Sequence, residues 1–362
     1  MVGPMVARPR WIVTGSLVVV AVVVVGVGLA RGWFSRSSPS VADAPRVDVD
    51  EVRVLASGLE LPWGVAFLPD GSALVTERDS TRLLRVRADG TVREEQRIAQ
   101  ARPRGEGGLL GVAVSPAYET DRWVYVYYST EDDNRIARLR LGEQPRTILT
   151  GIPRAGNHNG GRLAFGPDGM LYAGTGDAAD TASSQDRASL GGKILRMTPE
   201  GRPAPGNPFP GSVVWSLGHR NVQGLAWAAD GRMYAAEFGQ NRYDELNRIT
   251  AGANYGWPEV EGAGDDDSRF VNPIATWDPD DASPSGIAIV GDRVYVACLR
   301  GQRLYRVGLD GTGAQALLAG RYGRLRAVAP APDGSLWVLT SNQGRLGDPT
   351  DGDDRILRIP AE

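Results

Sequence analysis

An all-β fold, a six-bladed β-propeller with four-stranded antiparallel blades, is predicted by three features of this 362-residue chain. A short apolar unit with a tight polar turn recurs along it, its 47 glycines and 24 prolines are spread out rather than clustered, and it ends on a strand-like run. Frequent turns favour many short strands over long helices. Hairpins repeated at intervals of several tens of residues suit a radial arrangement, which leaves only short, protected sheet edges.

The first forty-odd residues differ from the rest. Residues 12–29 are an uncharged, valine-rich run preceded by Arg8 and Arg10 and followed by Arg31. A bilayer needs roughly 17–25 apolar residues, so a transmembrane anchor is one reading of segment 1–34. The other is a cleaved signal, although its apolar stretch is usually about 7–15 residues and the small-residue site Ala42-Asp43-Ala44 lies well downstream. Either reading puts the body outside the cytoplasm, at the membrane or secreted. Residues 35–50 read as a linker, and residues 51–362 as the propeller.

Within the body, the clearest copies of the unit are Val65–Val75, Leu163–Tyr172, Leu225–Tyr234 and Val328–Trp337, each carrying an Asp-Gly turn. Glycine accepts the positive φ such a turn demands, and the flanking alternation gives each strand one buried face. Two weaker copies, Val112–Tyr127 and Ile287–Val296, bring the expected blades to six. A further strand follows in most of them, as in Arg82–Val86, Lys193–Arg196, Arg303–Val307 and Arg355–Ile359. The last of these is expected to pair with strands from the start of the domain and close the ring.

Composition excludes several function classes. Net charge is −3, and no basic block appears beyond the extreme N-terminus, which argues against nucleic acid. Cys298 is the only cysteine, so neither an internal disulfide nor a cysteine-based zinc site can form.

In a propeller, ligands gather where loops from several blades meet over the central channel. Five polar clusters interrupt the hairpins: Gly105–Gly111 with Glu106, Gly156–Arg162 with Asn157 and His158, Gly218–Gly224 with His219, Arg220 and Asn221, Glu237–Asn247, and Gly323–Arg326. Only two histidines exist, and both lie in these clusters. His158 is a candidate general base; its plainer reading is a turn histidine bonded to local backbone. His219 better suits a structural role. Arg324 and Arg326 are two apart, so on a strand they share a side and read either as solvated charges or as a cationic fork for carboxylates or phosphate. Asp244 and Glu245 read as turn acids or as oxygen ligands for calcium. The acidic runs Asp265–Asp267 and Asp348–Asp354 lack the spaced ligand pattern of a calcium loop and read mainly as solvated.

Taken in order along the chain, Leu61-Pro-Trp-Gly64, Gly105-Glu-Gly-Gly-Leu-Leu-Gly111, His158-Asn-Gly-Gly-Arg162, Gly218-His-Arg-Asn-Val-Gln-Gly224, Asp244-Glu-Leu-Asn247, Asn254-Tyr-Gly-Trp-Pro258 and Arg324-Leu-Arg326 resemble the glucose/sorbosone dehydrogenase family. These are soluble aldose dehydrogenases that use pyrroloquinoline quinone (PQQ) and calcium, and the resemblance spans about Val52 to Ile359. It implies oxidation of an aldose at its anomeric carbon to a lactone, with hydride passing to the quinone and the electrons then to an acceptor no sequence feature identifies. His158 matches the general base, Arg220 the arginine at the reacting quinone carbonyl, Asn221 a cofactor contact, and Arg324 with Arg326 the pair on the cofactor carboxylates. The carbonyls of Gly239 and Gln240 match calcium-holding positions, with the calcium acting as a Lewis acid.

Three positions depart from the family pattern. Arg300 stands where a cofactor-side lysine is frequent, Glu106 where a glutamine is common near the sugar, and Asn157 where glucose-oxidising members carry aspartate. Glucose itself is therefore not assumed as the substrate. Two rival readings are a non-catalytic propeller binding glycans or a protein partner, and a calcium-dependent lactonase, which would need several carboxylates and amides around one cation.

Overall fold

The computed structural model describes residues 1–3, 47–264 and 269–362. The chain divides into two units, 1–40 and 41–362; of the first only residues 1–3 are described, exposed and without regular structure. The apolar segment 12–29 and the acidic run Asp265–Asp267 lie outside the described residues. No helix among those described is long and apolar enough to cross a membrane.

Twenty-four strands build six four-stranded antiparallel sheets. Strand β1 (Arg53–Ala56) precedes the first blade, β2 (Pro62–Phe67), β3 (Ala73–Glu77), β4 (Arg82–Val86) and β5 (Val92–Arg97). The second blade is β6 (Leu109–Val114), β7 (Val124–Ser129), β8 (Asn134–Leu139) and β9 (Arg146–Ile152), and the third β10 (Leu163–Phe165), β11 (Leu171–Gly174), β12 (Lys193–Met197) and β13 (Val214–Leu217). The fourth is β14 (Val222–Trp227), β15 (Met233–Glu237), β16 (Asp244–Ile249) and β17 (Ala275–Trp277), and the fifth β18 (Pro284–Val290), β19 (Arg293–Cys298), β20 (Arg303–Gly308) and β21 (Gln315–Leu317). The sixth takes β22 (Leu325–Pro330), β23 (Leu336–Thr340) and β24 (Ile356–Ile359) from the end of the chain and β1 from its beginning. Arg53 pairs with Arg358, which closes the ring as the sequence predicts.

All six recurring units become the inner hairpin of a blade, and the runs after them the third strand. At the first turn Gly71 has φ +80°, and the Asp70 carboxylate accepts hydrogen bonds from the Ser72 N–H at 3.0 Å and from its hydroxyl. Asp168, Asp230 and Asp333 cap their turns in the same way. The aspartate thus satisfies the N–H two residues on, while glycine supplies the left-handed backbone.

Apolar side chains collect into six clusters, one in each seam between neighbouring blades. The core is therefore a ring around a channel, and the innermost strands must approach closely. A Cβ on Gly111 would lie 2.1 Å from the Gly161 carbonyl oxygen, and one on Gly286 would lie 2.8 Å from Ala327 Cα. The predicted linker ends earlier than expected. Val47 is buried in the seam holding Leu357 and Ile359 and bridges Ala361, and the Asp48 N–H donates to the Pro360 carbonyl at 2.9 Å. Apolar burial and a backbone ladder tie residues 47–48 to the propeller.

Candidate active site

With the turn of the inner hairpin at one end of every blade, the second-to-third-strand and blade-to-blade connections lie at the other. That end carries Glu106, Asn157, His158, Arg220, Asn221, Gly239, Gln240, Arg300 and Arg324, drawn from five blades.

His158 is held in a left-handed conformation, φ +54°, by bonds at both ends of its backbone. Its N–H donates to Glu106 Oε2 at 2.9 Å, and its carbonyl accepts the Ala178 N–H at 3.1 Å. A Cβ on Gly176 would stand 1.9 Å from that same carbonyl oxygen, so only glycine fits beneath it. Positive φ on a non-glycine residue is strained and persists where its surroundings enforce it. His158 Nδ1 lies 2.8 Å from Asp177 Oδ1. Facing a carboxylate, Nδ1 carries the hydrogen, which leaves the Nε2 lone pair as the base. The Asn157 amide nitrogen lies 3.2 Å from Nε2.

Asp177 is fully buried. Its Oδ1 also accepts the Ala179 N–H at 2.9 Å, and its Oδ2 accepts Trp257 Nε1–H at 2.8 Å. Burial alone would push this carboxyl up, but the bond and charge of His158, with the Ala179 and Trp257 donors, outweigh it and hold the pKa below the ordinary value. Asp177 is thus an ionised anchor that orients the imidazole and stabilises its protonated form. The sequence reading did not single it out, although an aspartate ending the buried run Leu171–Asp177 is itself a signal.

Arg220 lies across the Trp257 ring, 5.4 Å from its centroid, and donates to the carbonyls of Phe238 and Gly239. Asn221 Oδ1 accepts the Gly160 N–H at 2.9 Å, which ties this loop to that of His158. Arg326 is 8% exposed and donates to Gln223 Oε1 at 2.6 Å; Arg324 sits half-buried just before it. Burial lowers the pKa of Arg220, Arg324 and Arg326, the last to about 9, and Glu106 opposes the shift in all three. A guanidinium remains charged under such conditions. That one carboxylate acts on all three means that these arginines converge on the same mouth.

Arg300 borders the same mouth, its charge repelling that of Arg324, while its guanidinium, 59% exposed, pairs with Asp280. His219 fills the structural role expected of it. It is fully buried, bonded to Glu237 Oε1 at 2.7 Å and Ser216 Oγ at 2.8 Å, and stacked on Tyr255.

The side chains assigned to calcium, Asp244 and Glu245, are engaged in other bonds. Asp244 gives both carboxylate oxygens to backbone N–H groups of Gly239 and Ser283, and burial raises its pKa to about 6. Glu245 accepts from Gly262 N–H and Asn247 Nδ2, and burial with neighbouring Glu237 raises it to about 8. The Gly239 carbonyl already receives Arg220, and the N–H groups of Gln240 to Tyr243 all point at Glu261 Oε1. No cluster of three or more His, Cys, Asp or Glu suited to a metal occurs among the described residues. In the run Asp348–Asp354, Asp354 is buried and bonded to Thr340 and Asn342, and Asp353 to Thr350.

A quinone cofactor fits better. Arg220 Nε, Asn221 Nδ2 and Arg326 Nε are buried and have no hydrogen-bond acceptor among the described residues. Buried unpaired donors are costly, and a ligand rich in carboxylates and carbonyls would satisfy them.

Comparison with known proteins decides the family. The sequence model of the Glucose / Sorbosone dehydrogenase family matches residues 59–348. The chain belongs to the glucose/sorbosone dehydrogenase family. Among solved structures, the PQQ-bound aldose sugar dehydrogenase of Streptomyces coelicolor is similar at 54% identity and a TM-score of 0.83, covering 88% of this chain and 98% of that one. An uncharacterised protein of Synechocystis is 33% identical, covering 88% of this chain and 92% of its own length. The aldose sugar dehydrogenase YliI of Escherichia coli is 28% identical, covering 80% and 89% respectively.

Proposed function

We propose that this member of the glucose/sorbosone dehydrogenase family is a PQQ-dependent aldose dehydrogenase that oxidises sugars at the anomeric carbon to lactones. The observation that carries the reading is the His158–Asp177 pair beside a mouth of converging arginines and unpaired buried donors. Dehydrogenase activity of this kind is supported by the family match, the Escherichia coli relative and the PQQ-bound structural neighbour.

Arg324 and Arg326 would hold the cofactor's carboxylates, with Asn221 and Arg220 at its edge. When bound, PQQ supplies the two-electron acceptor for the anomeric hydride. His158 Nε2 takes the proton of the anomeric hydroxyl, and the buried Asp177 carboxylate stabilises the imidazolium that results. Arg220 holds positive charge beside the oxygen where negative charge develops. Glu106 and Asn157 flank the base and would contact the sugar.

Calcium belongs to this reading as a competitor. A cation at the Gly239 and Gln240 carbonyls would have to displace Arg220 from the Gly239 oxygen. The uncharged segment 12–29 would tether the body outside the cytoplasm, where an acceptor in the membrane or periplasm could collect electrons.

The test is to supply the full-length protein with PQQ and calcium and to follow reduction of an artificial dye with a panel of aldoses. Turnover with at least one aldose is expected. No turnover with any sugar, together with no quinone binding, would sink the reading in favour of a non-catalytic propeller.

A further inference from the structure

Inside the channel, at residues buried more deeply than Arg324, two guanidinium groups share one platform. Arg162 leaves the Gly160-Gly161 turn and lies over the Trp63 ring, 4.4 Å from its centroid; Arg326 lies 5.7 Å from the same centroid. They are 9% and 8% exposed. Gln223 holds both, its carbonyl accepting Arg162 Nε at 2.6 Å and its Oε1 accepting Arg326 Nη1 at 2.6 Å. Ser285 Oγ donates to the same Oε1 at 2.9 Å.

Each guanidinium retains a buried nitrogen with no acceptor among the described residues, Nη2 of Arg162 and Nε of Arg326. A Cβ on Gly286 would stand 3.2 Å from that Nη2, so glycine keeps the fifth blade's backbone clear of it. Burial lowers the Arg162 pKa to about 9, and the Arg162 and Arg326 charges repel each other. Arg326 is repelled by Arg78, Arg324 and Arg162 and attracted by Glu106. The Trp63 ring compensates part of this charge through its π face, but a buried cation without a counter-ion is otherwise strongly unfavourable.

We propose that Arg162, with Arg326 beside it, forms an anion site inside the channel that accepts a small monovalent anion such as chloride. The chemistry required is a compact acceptor carrying one negative charge, which either a free halide or a carboxylate of a ligand seated above can supply.

Thermal unfolding of the full-length protein without quinone, in chloride and in a bulky sulfonate at equal ionic strength, reads the site directly. Chloride is expected to raise the midpoint by at least about 2 °C in the wild type and to leave Arg162→Met unmoved. Because that variant could fail to fold, bromide soaked into wild-type crystals provides a second reading, with an anomalous peak expected at Arg162 Nη2. Repeating the titration with PQQ separates the sources. A persistent chloride effect assigns the site to an inorganic anion. A chloride effect abolished by PQQ, with about tenfold weaker PQQ binding in Arg162→Met, assigns it to a cofactor carboxylate. No chloride effect, no bromide peak and unchanged PQQ affinity in Arg162→Met would overturn the proposal. The quinone-free arm involves no sugar chemistry, so its failure would leave the dehydrogenase reading standing.

Discussion

Replacing Asp177 by Asn removes one negative charge and almost no volume, and the three bonds around the carboxylate determine the effect. Oδ1 accepts from His158 Nδ1 and the Ala179 N–H, and Oδ2 accepts from Trp257 Nε1. All three partners are donors, so an amide in either orientation sets its NH2 against at least one of them. Facing His158, it drives the ring to the opposite tautomer and leaves Nε2 protonated and unable to act as a base. Facing Trp257, it keeps the tautomer but forfeits the charge that stabilises the imidazolium. A hydrogen bond to a charged group contributes about 1.5–3 kcal/mol, so kcat should fall roughly 10- to 150-fold at 1.36 kcal/mol per decade. The wrong tautomer would deepen the loss toward the ~10⁴-fold seen for such a substitution in a serine protease triad. Steady-state dye reduction against aldose concentration, paired with PQQ titration, is the assay. PQQ affinity should stay within a few-fold, because the Asp177 carboxylate accepts no bond from a residue assigned to the cofactor and its link to Arg220 is a backbone one, the Asp177 N–H donating to the Arg220 carbonyl at 2.8 Å. An Asp177→Asn protein with wild-type kcat, or one that loses PQQ and turnover together, would refute the role given to the dyad.

His158→Ala should retain PQQ binding and lose about 10²–10⁴-fold in turnover, the usual contribution of a positioned base; fluorescence titration and dye reduction check the two halves. Arg324→Ala and Arg326→Leu should each weaken PQQ binding roughly 10- to 100-fold, one charged hydrogen bond apiece, measurable by equilibrium titration. Arg220→Leu should tighten calcium binding about tenfold or more by freeing the Gly239 carbonyl and removing a like charge; calorimetry showing equal affinity would mean that the guanidinium does not compete. Glu245 has its pKa raised to about 8 by burial and by Glu237, so above its unfolded value, near 4.3, the native state binds more protons than the unfolded one. Stability should therefore fall as pH rises from about 5 to 8, and Glu245→Gln should flatten that fall in urea unfolding at several pH values.

The inner hairpins were legible because each alternates on a strand with one buried face, and four of the six add an Asp-Gly turn that satisfies itself. The fourth strands were not. Ala275–Trp277 and Gln315–Leu317 are three residues each, and Val92–Arg97 carries four charged residues on a mostly exposed face, so no apolar period marks them. At the site, the histidine and arginine positions could be named from motifs, but their partners come from distant blades. Asp177 meets Trp257 across eighty residues, and Arg326 meets Gln223 across 103. Spacing alone cannot reveal contacts that depend on ring closure. The orientation of Arg300 toward Asp280 and the occupation of the Gly239 carbonyl by Arg220 are likewise properties of loop geometry, invisible in a residue's identity.

The central claim, that one buried-anchor histidine and a cradle of arginines make this propeller an aldose dehydrogenase, is tested most directly under anaerobic conditions. The full-length protein is titrated with PQQ to saturation, a single addition of aldose is made, and the quinone absorbance is followed for the wild type and His158→Ala. The account requires both proteins to bind PQQ, and only the wild type to reduce it promptly, with one aldose oxidised per quinone. Absence of PQQ binding, or equally fast reduction in the two proteins, would contradict it.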